Sequence, residues 1–278
     1  MSTTLPAPPL EPNAFKCTCT EWWGHPAVQL LVGDALRPGG SELTASLLDG
    51  LSLGPGVRAL DVGSGAGVTL ELLARRGMVA TGVDYGATLA TQAAQFAPTA
   101  IGDGERLPFP SESFTLVTME CVLSALPDKP AALREIRRVL VPGGTLVLTD
   151  MTVSRPLPEP LDSLLAWVAC AGGALSSPTY HDLLMAHGFE VRRLEDHSAT
   201  VGAFVAKARR RLALLRGAIK VGIVPDPEAM IGPELDALRA SSDASGDLVT
   251  FGRSVLGEVA DAVRAGQLGY CAIVAGRT

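Results

Sequence analysis

The segment Leu60–Gly67, which reads LDVGSGAG, has the residue types of a turn that binds a nucleotide-like ligand. An apolar run ends in Asp61, and Gly63, Ser64 and Gly65 follow before a helix-forming stretch. Glycines let the backbone bend sharply and approach a ligand, and the helix N-terminus behind them offers unpaired N–H groups. Nicotinamide-binding proteins have a similar turn, so the turn by itself does not identify the ligand.

Acidic residues end or follow the next apolar runs. Asp84 ends VATGVD, and a carboxylate at the end of a strand can accept hydrogen bonds from both hydroxyls of a ribose. Asp103, in GDGERLPFP, lies where an adenine could be held. The other candidates for this ligand site are Tyr85, Gly104, Glu105 and Glu120.

The elements that position these residues alternate between strand and helix. Short apolar runs predict strands at 57–62, 78–83, 98–102, 114–120, 144–150, 190–196 and 269–276. Helical patterns fall at 67–76, 86–96, 129–140 and 178–187, and further helices precede the first strand. This rhythm predicts an α/β fold with a Rossmann-like, doubly wound sheet of seven strands.

The ends of the chain and a long helical stretch set the expected domain boundaries. We expect a mobile, Pro-rich segment at 1–20 and the main domain at 21–197. A helical insertion is expected at 198–268, because the stretch is too long for a simple connection, and 269–278 is expected to return as the last strand.

Four motifs over residues 55–152 resemble the class I S-adenosylmethionine-dependent methyltransferases. They are LDVGSGAG, GVD, GDGERLPFP and LREIRRVLVPGGTLVLTD, in matching order and spacing. The resemblance implies S-adenosylmethionine as cofactor, and we expect the last strand of the sheet to be antiparallel. It assigns the methionine end to Asp61, Gly63 and Glu120, the turn to Gly65, the ribose to Asp84, and the adenine to Asp103 with Gly104 or Glu105. Ser64 and Tyr85 are further candidates for cofactor binding.

Two cysteine-bearing stretches resemble the arsenite methyltransferases more closely than the general family. They are CVLSALPDK, which begins at Cys121, and CAGGAL, which begins at Cys170. The resemblance implies that these two cysteines hold trivalent arsenic as the substrate, with a small thiol as a possible reductant. Soft thiolate ligands suit such a centre. Cys17 and Cys19 are candidates for further ligands, because a C-x-C spacing in extended chain places both sulfurs on one side.

Alternatives remain for the acceptor and for each thiol. LRPGG and the L-P-F turn also resemble quinone-biosynthesis methyltransferases, which methylate a small organic acceptor. A metalloid-binding protein without turnover is a third interpretation. Free cysteines are often small buried hydrophobes, and Cys271, within an apolar strand, is expected to be one of these. Cys17 and Cys19 could also be unimportant thiols in a mobile tail.

Composition limits the partners. A net charge of −6 and a pI near 5.3 argue against nucleic acid, which requires a basic surface. No apolar run reaches the roughly 18 residues of a membrane span, and the first residues lack the pattern of a secretion signal. We therefore expect a cytoplasmic protein without a membrane partner, five reduced cysteines, and a small-molecule or metalloid substrate.

Overall fold

The computed structural model describes residues 5–33, 36–154, 164–220 and 248–278. Within these ranges seven strands form one sheet in the order β3-β2-β1-β4-β5-β7-β6. Their bounds are β1 Arg58–Val62, β2 Val79–Asp84, β3 Thr99–Ile101, β4 Phe114–Glu120, β5 Leu140–Val153, β6 Phe189–Asp196 and β7 Leu268–Arg277.

The pairing of the strands confirms the predicted fold class. Strands β1 to β5 pair in parallel, whereas β7 lies antiparallel between β5 and β6. The strand order reverses at β1, which has β2 on one side and β4 on the other. In open α/β sheets such a reversal opens a crevice at the carboxyl ends of the strands, where ligands bind.

The helices cover both faces of this sheet. Their bounds are α1 Pro12–Gly24, α2 Pro26–Val32, α3 Gly40–Asp49, α4 Val68–Arg75, α5 Ala87–Ala93, α6 Lys129–Val139, α7 Leu164–Val168, α8 Ser177–Ala186, α9 Ala199–Lys220 and α10 Leu248–Arg264. Helix α6 shows why they form: Asp128 caps its first turn by accepting from Ala131 N at 2.8 Å, and Leu133 and Ile136 are buried on one face.

The N-terminal region differs from the expectation. Residues 12–20 were predicted to be mobile, with Cys17 and Cys19 in extended chain, but they begin α1. Phe15, Cys19 and Trp23 recur every four residues, so they form one apolar face, and Phe15 stacks edge-on against Trp167 with ring centroids 5.6 Å apart. In a helix, residues two apart point in different directions, so Cys19 is buried and Cys17 is exposed. The boundary predicted at residue 20 falls inside α1.

Strand β5 begins four residues before its predicted start at 144. Leu140 pairs with Phe114, and the register then shifts before Leu116 pairs with Thr145. The turn at Gly143, which has a φ of 74°, therefore forms a bulge within β5. The Pro-Gly-Gly sequence indicates only the turn, so the strand before it was missed.

The predicted helical insertion contains α9 and α10, while residues 221–247 of it lie outside the described ranges. Helix α9 buries Val201, Val205 and Ala208 on the side that faces the rest of the chain. Whether 198–268 is an insertion stays a prediction. In the described part of the chain, no helix is long and apolar enough to cross a membrane.

Candidate functional site

A cleft lies at the carboxyl ends of β1, β2 and β4, with helix α1 as its roof. Lys16, Cys19 and Trp23 line it from the roof. Most of the residues expected from the sequence also line it, namely Gly63, Ser64, Gly65, Asp84, Tyr85, Asp103, Gly104, Glu120, Cys121 and Cys170. Parallel strands bring these residues together because their carboxyl ends lie at one edge of the sheet.

The glycine turn after β1 has the shape of a ligand cradle. Gly63 and Gly65 have φ values of 71° and 53°, and a Cβ at Gly63 would overlap the side chain of Val122. Asp84 holds the turn open, because one carboxylate oxygen accepts from Gly65 N and the other from Gly86 N, both at 2.8 Å. Burial raises the pKa of Asp84, and these two N–H groups partly oppose the rise.

The hydroxyl of Ser64 is the unsatisfied polar group of this cradle. Ser64 is buried and lines the cleft, and among the described residues its Oγ has no hydrogen-bond partner. Buried hydroxyls are normally paired, since leaving one unpaired costs about 1–3 kcal/mol. A bound ligand is one natural partner for it.

At the adenine end, Lys16 of α1 contacts both of the acids predicted there. Its Nζ donates to Asp103 Oδ2 at 2.8 Å and to Glu105 Oε2 at 2.5 Å. Burial lowers the pKa of Lys16, but the two carboxylates outweigh this effect and leave the pKa raised. The other oxygen of Glu105 accepts from Asp128 N at 2.7 Å. Glu105 therefore binds Lys16 outside the cleft and does not line it.

At the opposite end, Arg37 forms an ion pair with Glu120 at 2.9 Å. Two threonines surround the pair: Arg37 donates to Thr44 at 2.8 Å and to Thr69 at 2.9 Å, and both hydroxyls donate to Glu120. Burial lowers the pKa of Arg37, and Glu120 more than compensates, so the guanidinium stays charged. In the sequence, Arg37 of LRPGG was linked to the cofactor's carboxylate only by a loose analogy, because a single arginine is a weak signal.

Asp61 lies beneath the cleft and does not line it. It accepts a hydrogen bond from Thr118 Oγ1 at 2.7 Å and is buried. Burial, together with the nearby charge of Glu120, raises the pKa of Asp61 to about 8. This shift favours the neutral form of the carboxyl. The role of Asp61 beside the cofactor stays a prediction.

Cys121 and Cys170 meet at the acceptor side of the cleft. Both have left-handed backbone, with φ values of 58° and 64°. The Cys170 thiol donates to Cys121 O at 3.2 Å. The Cys121 thiol in turn donates to Cys170, and this hydrogen bond, followed by burial, raises the pKa of Cys121. Such strained residues cluster at functional sites.

The remaining thiols differ in their access to this pair. Cys19 lines the cleft, and burial followed by the charge of Cys170 raises its pKa. Cys17 is exposed beside Tyr85 and does not line the cleft. Cys271 is buried in β7, as expected, and burial raises its pKa to about 12. In the ranges described, no three His, Cys, Asp or Glu side chains are arranged to hold a metal ion.

Residues 60–148 match the family described as "Methyltransferase domain". Cys121 lies within the matched segment, whereas Cys19, Arg37 and Cys170 lie outside it. The family match therefore covers all of the predicted cofactor residues but only part of the acceptor side.

Curated relatives match a similar length of chain. The demethylmenaquinone methyltransferase of Mycolicibacterium paratuberculosis is 38% identical over 103 residues, which are 37% of this chain and 45% of the relative. The enzyme of the same name from Mycobacterium tuberculosis is 36% identical over 103 residues, or 37% and 44% of the two chains. The chain thus spans less than half the length of these relatives.

Three solved structures share the fold over most of this chain. A [4+2]-cyclase has a TM-score of 0.69 at 20% identity, covering 99% of this chain and 98% of its own. A cyclopropane synthase from Mycobacterium tuberculosis has 0.70 at 13%, covering 93% and 98%. A phosphoethanolamine N-methyltransferase from Haemonchus contortus, in complex with S-adenosyl-L-methionine, has 0.67 at 18%, covering 90% and 56%. At these identities the likeness shows the fold alone.

Proposed function

We propose that this chain is a class I methyltransferase that uses S-adenosylmethionine. The observation that carries the proposal is the cleft at the strand ends of a methyltransferase domain, lined by the glycine turn, Asp84 and Asp103. The cofactor supplies an electrophilic methyl group on a sulfonium. The presence of a cyclase among the proteins of this fold makes the site, and not the fold, the basis of the proposal.

The chemistry of the lining residues fits this cofactor. Asp84 offers carboxylate oxygens to the ribose, and the buried Ser64 hydroxyl offers an unused hydrogen-bonding group. Gly63 allows the turn to pack closely against Val122, because a side chain at this position would collide with it. Arg37 supplies a buried cation for the cofactor's carboxylate, and Asp103 can receive the adenine amine. A protein that had lost cofactor binding would have no reason to retain all of these cofactor-binding groups.

For the acceptor, we propose first a small organic molecule of the quinol type. The curated relatives are named demethylmenaquinone methyltransferases, and they support this class better than they support arsenic. Trp23, Val122, Ala125 and Leu126 give the cleft an apolar side against which a ring could pack. The role of the chain is then to orient the ring and to exclude water beneath α1.

The second candidate acceptor is trivalent arsenic, and a specific observation favours it. Cys121 and Cys170 place two thiols in contact within the cleft, both on strained backbone. Two thiolates can bind a monomethylated arsenical completely, because the methyl group fills its third position. Cys19, on the roof, is the nearest candidate for a third sulfur on arsenite.

The experiment that separates these candidates incubates reduced protein with S-adenosylmethionine and either demethylmenaquinol, arsenite or methylarsenite. Products and S-adenosylhomocysteine are measured by mass spectrometry. Cys170→Ser should abolish methylation of arsenicals because a hard oxygen replaces a soft thiolate, but it should spare a quinol. Cys271→Ser is the matched control and should leave either activity intact. If no S-adenosylmethionine binds in calorimetric titration, the proposed function is wrong.

A further inference from the structure

Two charged side chains lie fully buried beneath the turn that carries Cys121. Lys129, the first residue of α6, and Asp150, near the carboxyl end of β5, each have 0% exposure. Neither lines the cleft, so neither contacts a cofactor or an acceptor there. Burying an ion is unfavourable unless its partners are fixed, so these contacts define what the two residues do.

Lys129 holds the far end of this turn. Its Nζ donates to Ser124 O at 3.1 Å and to Leu126 O at 3.0 Å, and it lies 5.7 Å from the centre of the Trp167 ring. The ammonium group thus binds two carbonyl oxygens of the Cys121–Leu126 turn. Through Trp167 it also contacts the segment that leads to Cys170.

Asp150 holds the same turn from the strand below. Its carboxylate accepts from Ser124 N at 2.7 Å, from Ser124 Oγ at 2.5 Å and from Met151 N at 2.8 Å. Burial raises the pKa of Asp150 to about 6, while Ser124 and the charge of Lys129 act to lower it. Ser124 is therefore held between the two buried charges, by its N–H and hydroxyl on one side and its carbonyl on the other.

The Cys170 loop docks on this same residue. A Cβ at Gly173 would overlap Ser124 O and lie 3.2 Å from Lys129 Nζ, so the loop backbone lies directly against the braced turn. Only glycine permits this approach. The backbone at Gly173 and Ser124 is therefore a direct contact between the Cys170 loop and the Cys121 turn.

We propose that Lys129 and Asp150 are positioning residues that hold the thiols of Cys121 and Cys170 in contact. This inference rests on the proposed function only in taking these thiols as the acceptor side of the site. The pair acts through Ser124 and Gly173, without contacting either sulfur. The pair thereby fixes the Cys121 turn and the Cys170 loop relative to each other, so that their two thiols form a preorganised site.

The test is capture of phenylarsine oxide, in which the arsenic forms one bond to each of two sulfurs and the oxygen leaves as water with the two thiol protons. Affinity is measured by competition with a free dithiol, and the bridged cysteines are mapped by mass spectrometry. Lys129→Met should weaken bridging of Cys121 and Cys170 at least tenfold. Alkylation of each single cysteine by iodoacetamide and S-adenosylmethionine binding should change less than twofold.

Two further variants separate positioning from general destabilisation. Leu133→Ala, one turn along the same helix, creates a cavity away from the turn and should leave bridging unchanged. Gly173→Ala keeps both charges but pushes the loops apart, so it should reproduce the loss even if Lys129→Met does not fold. Wild-type affinity in Lys129→Met or Gly173→Ala would overturn the inference, as would an unmodified Cys121–Cys170 pair in the wild-type protein. Bridging in a protein that methylates no acceptor would refute the proposed function and leave this inference intact.

Discussion

At the scale of single residues, the unusual feature is that two cysteines adopt a conformation that favours glycine. Cys121 and Cys170 are two of three non-glycine residues with positive φ in the described ranges, and the third is Glu112. Left-handed backbone costs a residue with a Cβ roughly 1–2 kcal/mol. Both side chains are therefore held in the cleft against a local penalty, which is the behaviour of a functional site.

This penalty predicts an inverted order of stability. The variant Cys121→Gly should be more stable than Cys121→Ala by about 1 kcal/mol, because glycine carries no Cβ penalty there. Cys271 in strand β7 is the matched control, and at that position the glycine variant should be the less stable one. Urea unfolding of the four variants measures both differences. Equal stability of the two Cys121 variants would mean that the residue is not strained.

The cofactor assignment is tested at Asp84. Asp84→Ala should weaken S-adenosylmethionine binding by about 1–3 kcal/mol, because the ribose loses its acceptor and the Gly65 N–H loses its partner. Asp182→Ala, at an exposed position on α8, is the control and should bind normally. Calorimetric titration gives both dissociation constants. An unchanged constant for Asp84→Ala would remove Asp84 from the site.

At the scale of elements, helix α1 connects the two ends of the cleft. Lys16 binds the acids at the adenine end, while Trp23 Nε1 donates to Val168 O at 2.9 Å beside the Cys170 loop. The roof is thus fastened at both ends.

We therefore expect Lys16→Met to accelerate dissociation of S-adenosylmethionine several-fold. The methionine keeps the apolar stem but leaves Asp103 and Glu105 without their cation, so the roof opens more readily. Lys207→Met, on the exposed surface of α9, is the control. Stopped-flow displacement measures the two rates. Identical dissociation from both variants would show that α1 does not retain the cofactor.

At the scale of the whole molecule, buried carboxyls make stability depend on pH. Burial raises the pKa of Asp61 to about 8 and that of Asp150 to about 6, above the value of roughly 3.9 in an unfolded chain. The folded state therefore binds more protons than the unfolded state over this interval. The free energy of unfolding should fall as the pH rises from about 4 to 8.

Asp61→Asn should flatten the upper part of this profile. An amide needs no proton to remain neutral, so the fall in stability between about pH 6 and pH 8 should largely disappear. Asp182→Asn, at an exposed site, should leave the profile unchanged. Urea unfolding at pH 5, 7 and 9 measures the effect. A wild-type slope in Asp61→Asn would show that Asp61 is ionised throughout this range.

Local sequence patterns were sufficient for the sheet and for most of the cleft. Strand periodicity, the glycine turn and acids such as Asp84 are short-range signals, and the parallel fold then brings the strand ends to one edge. Helix α1 was missed because the Pro-rich start obscured the four-residue spacing of Phe15 and Cys19.

Only the tertiary structure decided which charges meet. Lys16 pairs with Asp103 across 87 positions, and Arg37 meets Glu120 only because the segment before β1 returns over the carboxyl end of β4. Lys129 and Asp150 look in the sequence like a residue near a helix start and a residue in a strand. A buried charge needs a partner that is near in space at any distance along the chain, and the order of strands and loops alone determines that partner.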